Sequence, residues 1–193
     1  MTHFEKQLSQ SNFAMVNSVW PQISEVYGGG FLTSVETDKG CIAKQLDADV
    51  GIDFIQTDRN HTTKSYATRM QQGRFWKTFT IRSIKTSGKR TEMHKRRNAI
   101  QYNGDLPKYT CHGYVNNWHD NSFLGCGVIE TIELFKIIEM YTSKSGLCLL
   151  EKKINPQDGT EFVVVRYGDL RKKNARTLNV FDAKKDSQLS LQL

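Results

Sequence analysis

The sequence predicts a single α+β domain with a central mixed sheet flanked by helices. A chain of 193 residues is long enough to bury one hydrophobic core, and an apolar fraction of 38% argues against disorder. Short apolar runs separated by turn residues predict strands, and three stretches with helical spacing interrupt them. Segments of both kinds in this order indicate an α+β or mixed α/β fold.

The N-terminal stretch, residues 3–26, has apolar residues at steps of three and four, which predicts a helix. Pro21 lies inside this stretch and predicts a kink. The run Gly28-Gly29-Gly30 predicts its end.

Four strand patterns follow, and the short loops between them predict an antiparallel meander. These strands are expected at residues 30–37, 50–57, 63–71 and 75–84. In the fourth, Trp76 and Phe79 are interpreted as core residues, with base stacking as the alternative role.

The second half of the chain predicts a basic helix, two strands, an apolar helix and a hairpin. Their expected bounds are 91–102, 109–116, 123–130, 131–141, 147–152 and 161–167. The chain turns polar from Gly168 onward. We therefore expect one domain over residues 1–181 and a flexible C-terminal tail over residues 182–193.

Several classes of protein are not expected. No apolar run reaches the roughly 18 residues of a membrane span, and the first residues lack a signal pattern, so we expect an intracellular, cytoplasmic protein with no membrane partner. The cysteines lack zinc-ligand spacing, and Cys111, Cys126 and Cys148 are interpreted as small apolar strand residues.

The net charge of +7 is concentrated in one part of the sequence. Between Arg82 and Arg97 there are seven basic residues and one acid, Glu92. Clustered positive charge attracts phosphate backbones, so nucleic acid, most simply DNA, is the expected partner; a solvated helix is the alternative. The predicted nucleic-acid-binding residues are Arg82, Lys85, Lys89, Arg90, Lys95, Arg96 and Arg97.

Residues 49–72 carry the candidate chemistry. Asp53 lies in the tripeptide Gly51-Ile52-Asp53, and Arg69 and Gln71 share one face of the next strand. The segment Asp49-x-Gly51-Ile52-Asp53, followed by Ala67-x-Arg69, resembles the core of the PD-(D/E)XK nuclease superfamily, which includes restriction endonucleases. The resemblance covers about residues 3–116 in element order and depends chiefly on the Gly-Ile-Asp tripeptide.

The resemblance implies a restriction-endonuclease-like core with additional strands, and Mg²⁺ or Mn²⁺ bound at Asp53. Ala67 stands where the family has Glu, Asp or Gln, and Arg69 stands where it has Lys. Alanine cannot bind a metal, and arginine cannot be deprotonated. The site is therefore either degraded or rebuilt from neighbours, with Glu5 or Glu25 as a further acid on the first helix. The residues that could rebuild it are Asp49, Glu36 and Gln71.

Three hypotheses for the site stay open. The first is a metal-dependent phosphodiester hydrolase with Asp53, Arg69 and Gln71 as catalytic residues. The second is a catalytically inactive module that occupies DNA or docks to a protein partner, as an inhibitor or assembly factor. The third is a purely structural Asp53–Arg69 pair. Many nucleases of this fold dimerise to cut both strands, so the resemblance is compatible with a homodimer.

Overall fold

The structure is a computed structural model, which describes residues 3–35, 46, 50–85, 88, 90–102, 104–118, 122–143, 148–156 and 158–184. It confirms the predicted α+β class, with one six-stranded sheet, one three-stranded sheet and helices packed on them. In the described part of the chain, no helix is both long and apolar enough to cross a membrane.

The predicted N-terminal helix is confirmed, but its hydrogen-bonding pattern changes along its length. It consists of helix α1 (His3–Ala14), a π-helical turn (Met15–Val19), helix α2 (Trp20–Ile23) and a 3₁₀ turn (Ser24–Tyr27). Pro21 lies at the start of α2, where its missing N–H is tolerated. Gly28 ends the segment with a φ of 93°, a conformation that glycine adopts without a steric penalty.

The large sheet has the strand order β1-β2-β3-β5-β6-β9. Its strands are β1 (Phe31–Ser34), β2 (Phe54–Thr57), β3 (Thr63–Gln72), β5 (Tyr109–Val115), β6 (Phe123–Glu130) and β9 (Asn179–Asp182). Only β3 and β5 are parallel; the other neighbours are antiparallel. A parallel pair needs a crossover connection, and this one contains helix α3 (Glu92–Gln101).

The predicted four-stranded meander is wrong at its fourth strand, which leaves the large sheet. Strand β4 (Thr78–Ile84) forms a second sheet with β8 (Glu161–Arg166) and β7 (Lys152–Ile154), in the order β4-β8-β7. The connection from β3 to β4 has positive φ angles at Gly73 (104°) and Lys77 (55°). These turn the chain away from β3, so the edge of β3 is free to pair with β5.

The C-terminal part is more structured than its polar composition suggests. Helix α4 (Thr131–Met140) lies where a helix was predicted, but β7 begins at Lys152, where the predicted strand ends. Helix α5 (Tyr167–Lys172) and strand β9 were not predicted. Asp182 pairs with Gly125 inside the sheet, so the proposed tail does not begin there, and residues 185–193 lie outside the described part.

The two larger hydrophobic cores lie on opposite faces of the large sheet. The N-terminal helical segment packs on one face, where Met15, Val19 and Ile23 are fully buried. Helices α4 and α5 and the small sheet pack on the other. On that second face a Cβ at Gly127 would lie 2.2 Å from the hydroxyl of Tyr167, so only glycine leaves room for this ring.

Candidate functional site

Asp53 lies immediately before β2 and binds the sheet through both its backbone and its carboxylate. Its N–H donates to the carbonyl of Tyr66 and its own carbonyl accepts from Val35, both at 2.9 Å. Its Oδ2 accepts the backbone N–H of Thr68 at 2.5 Å. That N–H lies beyond the last β2–β3 ladder pair, so the carboxylate supplies the acceptor that a longer β2 would have provided. Asp53 therefore stabilises the centre of the sheet.

Arg69 and Gln71 extend from β3 toward the same hydroxyl, that of Thr80 in β4. The nitrogen–oxygen distances are 3.4 Å for Arg69 and 3.5 Å for Gln71. The ion pair that Arg69 forms is with Glu92, at 3.7 Å, whereas the sequence suggested Asp53. Burial lowers the pKa of Arg69, and the charges of Glu92 and Asp53 oppose that shift.

Glu92 is the site residue that sequence reasoning missed. It is the first residue of α3, after the N-cap Thr91, and its Oε2 also accepts the backbone N–H of Arg82 at 3.5 Å. A carboxylate is favourable in the first turn of a helix because it faces the positive end of the helix dipole. Its isolation as the single acid among seven basic residues was the signal that could have identified it.

The open edge of β4 lies across the face of the large sheet. The N–H of Thr80 donates to Nδ1 of His112 at 3.1 Å, and the hydroxyl of Tyr114 donates to the carbonyl of Thr78 at 2.7 Å. Both partners come from β5, so β4 divides this face in two. On one side the buried ring of Phe79 packs 5.1 Å from the ring of His112; on the other lie Arg69 and Gln71.

Arg82 and Arg69 share one aromatic ring on this second side. Their guanidinium carbons lie 5.9 Å and 4.8 Å from the ring centroid of Phe162. Nε of Arg82 is buried and has no hydrogen-bond partner among the described residues. Glu92 pairs with Arg69, and the charges of Asp53 and Asp158 act on Arg69 and Arg82 respectively. We call this set the arginine corner: Arg69, Gln71, Thr80, Arg82, Glu92 and Phe162.

Arg96 is an interior residue and does not offer its charge to a nucleic acid, contrary to the sequence prediction. It is 3% exposed, and its guanidinium donates to the carbonyls of Val50 and, at 2.7 Å, Gly51. A Cβ at Gly51 would approach Nη2 of Arg96 to 3.0 Å, and Gly51 has a φ of 69°. The glycine of the Gly-Ile-Asp tripeptide therefore makes room for Arg96, which holds the segment leading to Asp53.

The remaining basic residues of the run are distributed over different environments. Arg97 pairs with Glu139 of helix α4 at 2.6 Å, which links the two helices. Lys85 and Lys95 are partly buried, Arg90 is exposed, and Lys89 lies outside the described residues. Arg82 is therefore the member of the run that the structure brings together with the other predicted site residue, Arg69.

A magnesium ion does not fit the described residues around Asp53. The side chain of Ala67 has no ligand atom, and the charge of Asp53 acts on two guanidinium groups, those of Arg69 and Arg96. No group of three His, Cys, Asp or Glu residues close enough to hold a metal occurs among the described residues. The candidates Glu36 and Asp49 lie outside that part, as does the side chain of Glu5, and Glu25 pairs with Arg59 at the surface.

Trp76 is exposed, whereas the sequence favoured a core position for both Trp76 and Phe79. Phe79 is fully buried, but 56% of Trp76 is accessible to solvent. The guanidinium carbon of Arg74 lies 5.1 Å from the ring centroid of Trp76, and Nζ of Lys153 lies 5.8 Å from it. An exposed indole between two cations has the residue types that bind nucleic-acid bases and phosphates.

Comparison of the chain with protein-family models, curated proteins and solved structures finds no match.

Proposed function

We propose that this protein binds DNA through the arginine corner and does not cut it. The observation that carries the proposal is the pair of guanidinium groups of Arg69 and Arg82 around the Phe162 ring, at 4.8 Å and 5.9 Å. Three carboxylates act on these two charges: Glu92 pairs with Arg69 at 3.7 Å, the charge of Asp53 also acts on Arg69, and the charge of Asp158 acts on Arg82. A phosphate would compete with these carboxylates for the guanidinium donors.

The corner has the donors that a phosphodiester needs. Arginine presents a planar set of N–H donors that matches the oxygens of a phosphate group. Nε of Arg82 is buried and has no hydrogen-bond partner among the described residues, so a rotation of this side chain toward a phosphate would gain an acceptor for it without breaking a bond of that atom. The hydroxyl of Thr80 and the amide of Gln71 lie beside Arg69 and add neutral donors.

The nuclease resemblance supports DNA binding better than it supports DNA cleavage. The observed order is helix, β1, β2, β3, β4, α3, β5, which is the order that the resemblance implies except for the inserted β4. At the position where the resemblance puts a lysine, Arg69 is ion-paired with Glu92, and Asp53 holds the backbone of Thr68. We therefore infer a nuclease-like core whose site has become a phosphate-binding surface.

The binding test compares two arginine variants that remove the same charge. Fluorescence anisotropy with labelled single-stranded and duplex DNA would be measured for Arg82→Ala and for Arg59→Ala. Arg59 is the matched control, since it is 66% exposed and pairs with Glu25 away from the corner. Loss of one charged hydrogen-bond donor should weaken binding about tenfold or more for Arg82→Ala, and less than about twofold for Arg59→Ala.

The salt dependence of binding gives a second measurement. Removing one phosphate contact should lower the slope of log affinity against log salt by about 0.9 for duplex and about 0.7 for single-stranded DNA. Equal effects of the two arginine variants would contradict the arginine corner. If neither DNA nor RNA binds at moderate salt, the proposed function fails and docking to a protein partner becomes the account to test.

The cleavage test separates binding from hydrolysis. Supercoiled and single-stranded DNA would be incubated with the protein in Mg²⁺ or Mn²⁺, with Asp53→Ala as the control. We expect no cleavage by either protein. Metal-dependent cleavage that Asp53→Ala abolishes would overturn the non-catalytic proposal in favour of a phosphodiester hydrolase.

A further inference from the structure

The connection between β3 and β4 contains two consecutive aromatic residues, one of which points into the core and the other into solvent. Phe75 enters the core, where its ring centroid lies 5.2 Å from that of Tyr114, and a Cβ at Gly125 would clash with it at 2.4 Å. Trp76 faces outward and is 56% exposed. The positive φ of Lys77 immediately after it (55°) fixes the direction in which the chain enters β4. Trp76 is thus an exposed ring on an ordered connection.

The surroundings of Trp76 are cationic and accessible. Besides Arg74 at 5.1 Å, Lys153 lies 5.8 Å from the indole centroid; it keeps 62% of its side chain exposed, and its amine lies 3.7 Å from Glu151. Such cations can move from the ring face to the phosphate of a bound nucleotide, because their side chains are long and solvated. A base would then have access to the indole.

Trp76 and the arginine corner belong to one surface of the small sheet. Lys153 is the register partner of Phe162 across β7 and β8, and Phe162 is the partner of Arg82 across β8 and β4. Paired residues in a sheet project from the same face. A row of three side chains therefore crosses the small sheet from the arginine corner: Arg82, Phe162 and Lys153. The amine of Lys153 lies over the ring of Trp76, which connects the row to the indole.

We infer that Trp76 is a stacking platform for an unpaired base, and that the DNA bound in the arginine corner is single-stranded there. This inference rests on the proposed function and specifies its substrate class. Phosphates of the strand would bind at Arg69 and Arg82, and a base would stack on the indole of Trp76. In duplex DNA the bases are already stacked on one another, so they cannot reach a single exposed ring.

The test uses three ligands of equal length and four proteins. The ligands are a 20-nucleotide oligothymidine, an abasic 20-mer with the same phosphates, and a 20-base-pair duplex. The proteins are the wild type, Trp76→Ala, Trp76→Phe and Arg82→Ala. Trp76→Ala should weaken oligothymidine binding about 5- to 150-fold, the range for one stacked base, and leave the abasic 20-mer and the duplex within about twofold. Trp76→Phe should retain most of the affinity.

Intrinsic fluorescence gives an independent readout. Trp20 is 7% exposed and Trp118 packs against the first core, so oligothymidine should quench mainly the emission of Trp76. The quenching should disappear in Trp76→Phe while binding persists, and the abasic 20-mer should not cause it.

The possible outcomes separate the two proposals. If Trp76→Ala leaves oligothymidine binding unchanged while Arg82→Ala weakens it, the stacking inference is overturned and the proposed function stands. If Trp76→Ala weakens the binding of all three ligands to the same extent, the indole supports the folded structure and does not stack on a base, and the inference is also overturned. If Arg82→Ala changes binding of none of them, the proposed function itself fails.

Discussion

The arginine corner and helix α3 both draw on the basic run between Arg82 and Arg97, but they use its charge differently. Arg82 lies on a strand and shares the Phe162 ring with Arg69. Arg96 lies on a helix and binds two backbone carbonyls in the interior, while Arg97 joins that helix to α4. The comparison teaches that a basic run in the sequence is not a basic surface. Each residue's element and partner decide its role.

The largest effect should come from Arg96. Arg96→Met removes the donors to the carbonyls of Val50 and Gly51, in the segment before Asp53. A hydrogen bond from a charged donor is worth about 1.5–3 kcal/mol, so the loss of two should lower the free energy of unfolding in urea by about 3–6 kcal/mol. A loss below about 1 kcal/mol would show that Arg96 is not the interior anchor inferred here.

His112, which accepts a hydrogen bond from Thr80 in β4, should make the stability of the protein sensitive to pH. Burial, together with the charge of Arg69, holds the pKa of His112 well below its usual range, and its Nδ1 accepts the N–H of Thr80. The unfolded chain takes up the proton near pH 6.5, so this stabilisation is complete above that pH and is lost as the pH falls. The slope should approach about 1.4 kcal/mol per pH unit.

The measurement is the free energy of unfolding between pH 7 and pH 5 for the wild type and for His112→Gln. The glutamine oxygen can still accept from Thr80, but it does not titrate in this range. The free energy of unfolding of the variant should therefore fall less steeply with decreasing pH, by up to about 1.4 kcal/mol per pH unit, the slope for one proton. Identical slopes for the two proteins would contradict a neutral, buried His112.

Glu92→Gln tests the charge balance of the arginine corner. The change keeps the shape and an acceptor for the N–H of Arg82, but it releases Arg69 from its ion pair. A pair of this partly exposed kind is worth about 0.2–1 kcal/mol, so DNA should bind up to about fivefold more tightly. Weaker binding in an anisotropy titration would show that Glu92 organises the corner rather than neutralising it.

The smallest effect should come from Arg97, the neighbour of Arg96. Its pair with Glu139 is solvent-exposed, with 37% and 50% of the two side chains accessible. Arg97→Met should therefore lower the free energy of unfolding by at most about 1 kcal/mol. If the losses for Arg96→Met and Arg97→Met were similar, the contrast between interior and surface arginines in α3 would not hold.

Local pattern predicted most of the elements. The spacing of apolar residues located the N-terminal helix, α3 and α4, and strand alternation located β1, β2, β3, β5, β6 and β8. Alternation also predicted that Arg69 and Gln71 share a face, and both contact Thr80. Strand β9 was missed because four residues, Asn179–Asp182, are too few to show a period and are held by distant pairing with β6.

The sequence by itself determined the class of the fold, the association of Asp53 with the second strand, and the presence of a basic run. The tertiary structure alone decided that β4 leaves the large sheet, that Glu92 faces Arg69, that Arg96 is buried, and that Trp76 is exposed. The physical reason is the sequence separation of the residues that decide each feature. Helix and strand periods are local properties of the chain, whereas sheet partners, ion pairs and burial depend on residues far apart in sequence.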